Sequence, residues 1–345
     1  MNIADLPTPA LVLDQARFEQ NLAAMANALP GARLRPHVKA HKCTAIASAQ
    51  RRHGHESFTC ATPAEMLGMA AAGLGGNLLL ANEVLDPRRL GAMAAAVAAA
   101  PDDVRMIVAV DSEGTIDAAA AAGLREIVID VDVGLPRCGC APADAGRLAE
   151  LARRRGLEVQ GVMGYEGHVM METDLERKRA AVDASVDLLH AAHAEVGGEI
   201  VSSGGTGTFD LHTRVTEVQA GSYALMDTQY ATLVFGSLGQ PFGLALSVVG
   251  TVISVRPQWA VLDVGLKALG MDHGNPSVDG ATGWFCSDEH LTFAPDEGTA
   301  APRLGDRVRV WPAHIDPTMA KHEQVHVVDG DGVVVDVWPV DLRGW

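Results

Sequence analysis

Short β-branched runs alternate with alanine-rich segments of helical length between residues 14 and 230. Strands that alternate with helices predict parallel pairing, because each helix carries the chain back to begin the next strand in the same direction. Eight such runs favour a closed (β/α)8 barrel; a doubly wound sheet is the alternative, since one miscounted strand would change the prediction. The strand candidates are 34–39, 57–61, 77–81, 105–110, 126–131, 159–164, 199–203 and 217–221.

The pattern changes after about residue 240. Strand candidates now follow one another without intervening helices, and Gly, Pro and Asp cluster between them, which is typical of an antiparallel β domain. We therefore expect a barrel over residues 14–235 and a β domain over 236–345, joined by residues 1–13. The strand candidates of this domain are 244–255, 259–265, 307–312, 324–328 and 333–340.

Charge and cysteine content narrow the class of protein. Asp and Glu total 43 against 27 Lys and Arg, so the formal net charge of −16 disfavours nucleic acid and anionic membranes as partners. The longest apolar stretch, 91–100, is too short to cross a bilayer, and the N-terminus lacks a basic flank for a signal peptide. Five scattered cysteines indicate reduced thiols, so we expect a cytoplasmic protein.

Polar groups follow the predicted barrel strands at their carboxyl ends, where barrel enzymes place their chemistry. The segment SGGTGT (203–208) follows strand seven and is the clearest case. Consecutive glycines let backbone N–H groups approach an anion, and hydroxyl groups add donors, so this loop predicts a phosphate site. A flexible turn before a helix is the alternative. The candidate cofactor contacts here and after strand eight are Ser203, Gly204, Gly205, Thr206, Ser222 and Tyr223.

Lys39 stands at the end of the first strand candidate, where its side chain could point into the barrel mouth. A lysine there is costly unless it is paired or functional, and a desolvated amine suits Schiff-base formation. A phosphate site opposite such a lysine points to pyridoxal phosphate, which needs both. An exposed lysine is the alternative reading, and Lys42 in the next turn is the competing amine.

Three further side chains are candidates for the same site. Arg137, after strand five, could contact the ring oxygen of the cofactor, with a surface ion pair as the alternative. Tyr165 and His168, after strand six, could transfer protons or donate hydrogen bonds, and Glu166 would orient one of them. A satisfied polar cluster is the alternative for these residues.

The β domain contains a candidate metal site in AHIDPT (313–318). In an extended segment His314 and Asp316 would share one face, so both could reach one ion. A His–Asp pair with water in the open positions suits Mn²⁺, Mg²⁺ or another divalent cation. A polar loop is the alternative, because this spacing is common by chance.

The sequence contains six compact motifs: DLPTPAL (5–11), RPHVKAHK (35–42), LPRCG (135–139), GYEGH (164–168), SGGTGT (203–208) and AHIDPT (313–318). Together they resemble the fold-type III pyridoxal phosphate enzymes of the metal-activated D-threonine aldolase and D-serine dehydratase family. The resemblance implies an alanine-racemase-like barrel with a C-terminal β domain, usually as a homodimer. It also implies Lys39 as the Schiff-base lysine, Arg137 near the cofactor ring, backbone 204–206 on phosphate, and His314 with Asp316 on the metal.

The second metal ligand separates the branches of this family. Dehydratases carry His-x-Cys with zinc and aldolases His-x-Asp with a harder ion, so Asp316 favours Mn²⁺, with Mg²⁺, Co²⁺ or Zn²⁺ as alternatives. We therefore expect retro-aldol cleavage of β-hydroxy-D-amino acids, such as D-threonine to glycine and acetaldehyde, with His168 or metal-bound water as base.

Other activities remain to be weighed against this one. The first alternative is a D-serine or 3-hydroxy-D-aspartate dehydratase, and the second is a non-catalytic pyridoxal phosphate carrier. Such carriers share the barrel but lack a β domain and a metal motif. Alanine racemases use a tyrosine of the β domain as second base, and all three tyrosines here, Tyr165, Tyr223 and Tyr230, precede that domain. That route to racemisation is therefore excluded.

Overall fold

The computed structural model describes the backbone of residues 1–345 and the side chains of 1–236 and 238–345. No helix among these residues is long and apolar enough to cross a membrane. The strands are β1 Ala10–Asp14, β2 Phe58–Cys60, β3 Leu78–Leu80, β4 Met106–Val110, β5 Glu126–Asp130, β6 Glu158–Met163, β7 Ile200–Ser203, β8 Glu217–Val218, β9 Leu246–Val255, β10 Ala260–Leu262, β11 Ser277–Val278, β12 Ala281–Cys286, β13 Leu291–Pro295, β14 Arg307–Trp311, β15 Gln324–Val328 and β16 Val334–Pro339. The α-helices are α1 Gln15–Ala28, α2 Thr44–Arg52, α3 Pro63–Ala71, α4 Pro87–Ala99, α5 Glu113–Ala122, α6 Ala145–Arg154, α7 Leu175–Val196 and α8 Ile315–Ala320.

Residues 34–218 form the predicted barrel. Strands β2 to β8 pair in parallel and in sequence order, with the helices between them. Residues 34–37 lie between β8 and β2: the N–H of Arg35 donates to Val218 O at 2.9 Å, and Pro36 O accepts from Thr59 N–H at 2.9 Å. The barrel prediction is thus confirmed, but the first expected strand contributes only single bridge pairs. Pro36 has no N–H to donate, and residues Val38–Ala40 turn into a short 3-10 helix.

Helix caps fix where the barrel helices begin. The Asp14 side chain caps α1, because it accepts from Arg17 N–H at 3.0 Å. Thr62 caps α3 in the same way, and Asp174 caps α7. Helix α6 begins at Ala145, after a 3-10 turn at Pro142–Asp144.

The last hundred residues form a nine-stranded sheet in the order β10-β13-β12-β11-β14-β9-β1-β15-β16. β1 comes from the N-terminus and pairs antiparallel with β9 and parallel with β15. Strands β11, β12 and β13 were not predicted. β11 has only two residues, and β12 exposes two adjacent aromatic side chains, Trp284 and Phe285, where an amphipathic strand would alternate apolar and polar ones. One continuous apolar core joins this sheet to the barrel.

A buried ion pair supports the barrel where its backbone ladder is weakest. Arg35 lies in the closing segment and is 2% exposed; its Nε donates to Glu217 Oε1 of β8 at 2.7 Å. The same guanidinium donates to the side chain of Asn77, just before β3, at 3.0 Å. Three separate segments are thereby held around one buried cation.

Replacing Glu217 should therefore destabilise the barrel strongly. We expect Glu217→Ala to lower the free energy of unfolding by about 3–5 kcal/mol, because it leaves the Arg35 charge buried without its partner. Asp187→Ala, which breaks the exposed pair with Arg214, is the matched control and should cost at most about 1 kcal/mol. Denaturant unfolding measures both, and equal losses would refute the role assigned to the buried pair.

Candidate active site

A cavity of about 490 Å³ lies at the carboxyl ends of the barrel strands, with the β domain as its second wall. This volume is within the range of cofactor sites. The barrel contributes Lys39, Arg137 and Tyr165, while the other domain contributes His314 and Asp316. The remaining lining residues are His37, Ala40, Ala61, Ala81, Asn82, Glu83, Asp130, Cys138, Met163, Gly164, Ser203, Gly204, Gly205, Thr206, Gln219, Gly221, Ser222, Tyr230 and His273.

Tyr165 lies between the two predicted cationic residues of the cavity. Lys39 Nζ is 5.8 Å from the centre of the Tyr165 ring, and the Arg137 guanidinium carbon is 5.3 Å from the same centre. Burial, with a contribution from nearby Glu166, raises the pKa of Tyr165 to about 12. The phenol therefore keeps its proton at neutral pH and can donate a hydrogen bond, but it is a poor base.

The glycine-rich loop is held from behind by Glu166, which is fully buried. Its carboxylate accepts from Ser203 Oγ at 2.9 Å, Thr208 Oγ1 at 2.7 Å and His212 Nε2 at 2.7 Å. Burial alone would raise the pKa of Glu166, but the hydrogen bond and charge of His212 and the Thr208 hydroxyl outweigh it and lower this pKa to about 2. Glu166 is therefore a buried anion that fixes the loop.

The loop uses its amides differently from the expectation. The N–H of Gly204 donates to Glu166 at 3.2 Å, and the N–H of Gly205 donates to Thr208 Oγ1 at 3.3 Å. In the described structure the amides of Thr206, Gly221 and Ser222 donate to no other protein group. These three N–H groups, rather than those of Gly204 and Gly205, can meet an anion.

The residues after β8 divide into two groups. Ser222 lines the cavity, whereas the Tyr223 ring is fully buried in the core and its hydroxyl accepts from Gln50 at 3.1 Å. The Tyr223 amide is also used, since it donates to Thr206 Oγ1 at 3.1 Å. Tyr230 lines the cavity, whereas Tyr223 does not. Tyr230 was not predicted as a cofactor contact, because it belongs to none of the sequence motifs.

His168 does not reach the cavity. Its side chain is exposed, and its ring lies against Gly134 in the loop after β5. The short 3-10 turn Gly167–Val169 carries the chain away from the mouth directly after Tyr165 and Glu166. The structure therefore brings Tyr165 into the site but not His168, the expected base.

The structure brings His314 and Asp316 together, though in a different local conformation from the one expected. His314 is extended and precedes α8, while Asp316 lies in the first helical turn. Aspartate and proline are both favourable in a first turn, and Pro317 follows directly. His314 Nε2 lies 3.6 Å from Asp316 Oδ2, and that oxygen is buried without a hydrogen-bond partner.

Two neighbours of His314 were missed in the sequence. Its Nδ1 lies 2.7 Å from Asp272 Oδ2, and the ring of His273 stacks on it at 3.8 Å. One ligand atom from each of the three residues falls within 4.8 Å of the others. Asp272 and His273 lie about 42 residues earlier in the chain, in a loop with no ligand-like spacing, so only the fold reveals them.

The low pKa of Glu166 has a consequence for stability. Because its pKa is lowered from 4.5 to about 2, Glu166 stabilises the fold above pH 4.5, and this contribution is lost as the pH falls towards 2. We expect Glu166→Gln to cost about 3 kcal/mol at neutral pH and to flatten the acid side of the stability profile. Urea unfolding at several pH values, with exposed Glu176→Gln as control, measures this; a profile parallel to the parent's would contradict it.

Two family models match the chain in succession. Residues 13–229 match the alanine racemase N-terminal domain, and residues 245–328 match a putative serine dehydratase domain. The first match covers most of the chain and agrees with the barrel described above, and the second covers much of the β domain. A pyridoxal phosphate cofactor is implied by the first of these families.

Individual relatives cover the whole chain. A D-threonine aldolase of an Arthrobacter species is 35% identical over 99% of this chain and 94% of its own length. The D-threo-3-hydroxyaspartate dehydratase of Delftia sp. (strain HT23) is 31% identical over 99% of this chain and 98% of its own length. The crystal structure of D-threonine aldolase from Filomicrobium marinum is 35% identical, covers 99% of this chain and 97% of its own, and superposes with a TM-score of 0.92.

These similarities extend through both domains, and the matched region includes His314 and Asp316. The resemblance drawn from the six motifs is confirmed. The chain is a lyase that belongs to the alanine-racemase-like family of pyridoxal phosphate enzymes that includes the D-threonine aldolases and D-serine dehydratases.

Proposed function

We propose that this protein cleaves β-hydroxy-D-amino acids by a retro-aldol reaction that depends on pyridoxal phosphate and a divalent metal, with D-threonine giving glycine and acetaldehyde. One observation carries the proposal: Lys39 and the His314–Asp316 pair, from different domains, line the same cavity. An amine and a nitrogen–oxygen metal site in one cavity are the two chemical needs of this reaction. The homodimer and cytoplasmic location expected from the sequence stay predictions.

The residues present fit pyridoxal phosphate. The unpaired amides of Thr206, Gly221 and Ser222 can receive its phosphate, and Lys39 supplies the amine. Gly221 lets this loop pack closely against the turn that carries Lys39, because a Cβ at this position would lie 2.5 Å from His37 O. Arg137 lines the same cavity and offers a cation for the cofactor ring oxygen or a substrate carboxylate.

The residues also fit a hard divalent ion. Asp316 Oδ2 is buried and lacks a partner, which is costly for a carboxylate oxygen unless a ligand meets it. His314 offers Nε2 on the same side, while Asp272 holds Nδ1 and so selects the tautomer. One imidazole and one carboxylate favour Mn²⁺, with Mg²⁺, Co²⁺ or Zn²⁺ as alternatives.

When bound, the ion supplies Lewis acidity that makes the substrate hydroxyl more acidic, and the cofactor ring supplies an electron sink for the broken Cα–Cβ bond. His314 and Asp316 would hold the ion on one wall of the cavity, and Lys39 would hold the cofactor through its amine on the other. Tyr165 keeps its proton and can donate a hydrogen bond in the same cavity. Because His168 lies outside the cavity, we do not assign it the role of base.

The charges of the cavity favour a substrate with one carboxylate. Its described cationic side chains are Lys39 and Arg137, and Lys39 is committed to the cofactor. Glu83 and Asp130 line the wall near Arg137, and burial together with Glu83 raises the pKa of Asp130. A second carboxylate, as in 3-hydroxyaspartate, would lack a cation of its own.

The second candidate function is dehydration of D-threo-3-hydroxyaspartate, because the dehydratase of that acid from Delftia is similar over the whole chain.

Product analysis tests the proposal directly. Purified protein is incubated with pyridoxal phosphate, Mn²⁺ and either D-threonine or D-threo-3-hydroxyaspartate, and glycine, aldehyde, keto acid and ammonia are measured. We expect glycine and acetaldehyde from D-threonine, lost when a chelator is added. Keto acid with ammonia would place the protein in the dehydratase branch despite Asp316.

The metal pair can be tested separately from the cofactor. His314→Ala and Asp316→Ala should each lower D-threonine cleavage by about 100-fold or more, because Lewis-acid stabilisation is worth several kcal/mol and about 1.4 kcal/mol changes a rate tenfold. The absorbance of bound pyridoxal phosphate should persist, whereas Lys39→Ala should abolish it. Exposed His290→Ala and Asp288→Ala are the matched controls. Full activity of His314→Ala or Asp316→Ala in the presence of a chelator would refute the assignment of these residues to the metal.

A further inference from the structure

Lys42 has an unusual backbone conformation for a lysine. Its φ is +52°, and among the described residues only Met226 is another non-glycine residue with a positive φ. A side chain with a Cβ adopts this left-handed region reluctantly, and such residues persist where surrounding contacts hold them. Lys42 immediately follows the short turn that presents Lys39 to the cavity.

The contacts of Lys42 reach both halves of the active site. Its ammonium donates to the carbonyl oxygen of Lys39 and, at 2.9 Å, to the carbonyl oxygen of Asp316, which is 274 residues away in sequence. Its own carbonyl accepts from Leu342 N–H at 2.9 Å, and its N–H donates to Val38 O at 2.7 Å. The half-buried side chain of Lys42 thus joins the turn that carries Lys39 to the helix that carries Asp316, and its backbone carbonyl holds the C-terminal segment.

The surroundings of Lys42 hold its side chain in place. Burial lowers the pKa of Lys42, and the nearby carboxyl groups of Asp316 and Glu65 oppose this lowering. The amine donates in either protonation state, so the two carbonyl contacts do not depend on its charge. Glu65 is 2% exposed and is itself fixed by a hydrogen bond from Ala61 N–H at 2.6 Å. The two carbonyl acceptors therefore face a donor that the neighbourhood keeps in place.

We propose that Lys42 is a positioning residue that sets the separation of Lys39 and Asp316 and thereby couples metal binding to the bound cofactor. This inference rests on the proposed function, which assigns the cofactor to Lys39 and the metal to Asp316. Coupling of this kind is reciprocal: the cofactor should tighten metal binding by the same factor by which the metal tightens cofactor binding. If Lys42 only held the two domains together, its removal would lower the free energy of unfolding but would not change how the binding of one ligand affects the other.

The experiment compares four variants with the parent protein. Lys42→Met removes the donor, Lys42→Gly also relieves the backbone strain, and Lys42→Arg restores a donor. Lys321→Met, at the exposed end of α8, is the matched control. The Mn²⁺ dissociation constant is measured by titration calorimetry with and without pyridoxal phosphate, and the absorbance of bound cofactor is recorded before and after Mn²⁺.

We expect the cofactor to tighten Mn²⁺ binding about tenfold in the parent, a coupling of typical size. Lys42→Met and Lys42→Gly should lose this tightening and the Mn²⁺-induced change in absorbance, while still binding pyridoxal phosphate. Lys42→Arg should recover most of the coupling, and Lys321→Met should behave as the parent.

Four results would overturn the inference. Two concern the Met and Gly variants: both keep the coupling of the parent, or both lose Mn²⁺ affinity equally with and without cofactor. The other two are a parent protein without coupling, and an Arg variant whose coupling is as weak as that of the Met variant. If Lys42→Met does not fold, the Gly variant decides. A parent protein that binds neither Mn²⁺ nor pyridoxal phosphate would instead refute the proposed function itself.

Discussion

The pairing of β1 with β9 and β15 sets the relation between the two domains. β1 leads directly into α1, with Asp14 as both the last strand residue and the helix cap, so the β sheet and the barrel meet without a linker. This anchoring holds α8 over the carboxyl ends of the barrel strands. The cavity, with Lys39 on one wall and Asp316 on the other, follows from that arrangement.

Behind the cavity, polar groups are fixed before any ligand arrives. Glu166 accepts from the Gly204 amide and the Thr208 hydroxyl of the glycine-rich loop. In the described structure the amide of Thr206, and those of Gly221 and Ser222 after β8, donate to no protein group. On the opposite wall, Asp272 holds one nitrogen of His314 and leaves the other facing Asp316. Preorganised donors of this kind need no rearrangement when charge develops during a reaction.

Local sequence patterns predicted the elements well and the convergence of distant loops poorly. Alternating strands and helices have a periodic signal, so the barrel could be predicted, and Lys39, His314 and Asp316 stood out because each belongs to a compact motif. Asp272 and Tyr230 belong to no motif, and only the folding of distant segments brings them to His314 and to the cavity, respectively. His168 shows the reverse error: it belongs to the same motif as Tyr165, but a tight turn after Tyr165 sends its side chain to the surface.

The sheet that contains β1 also has a consequence for biosynthesis. β1 leaves the ribosome before the barrel strands, yet the residue opposite Val12 in the register, His326, is made after them. The barrel can therefore collapse while β1 is still unpaired, since domains fold as their residues emerge. The cavity is completed last, so a nascent chain exposes a barrel mouth that carries Lys39 but lacks the wall that carries His314 and Asp316.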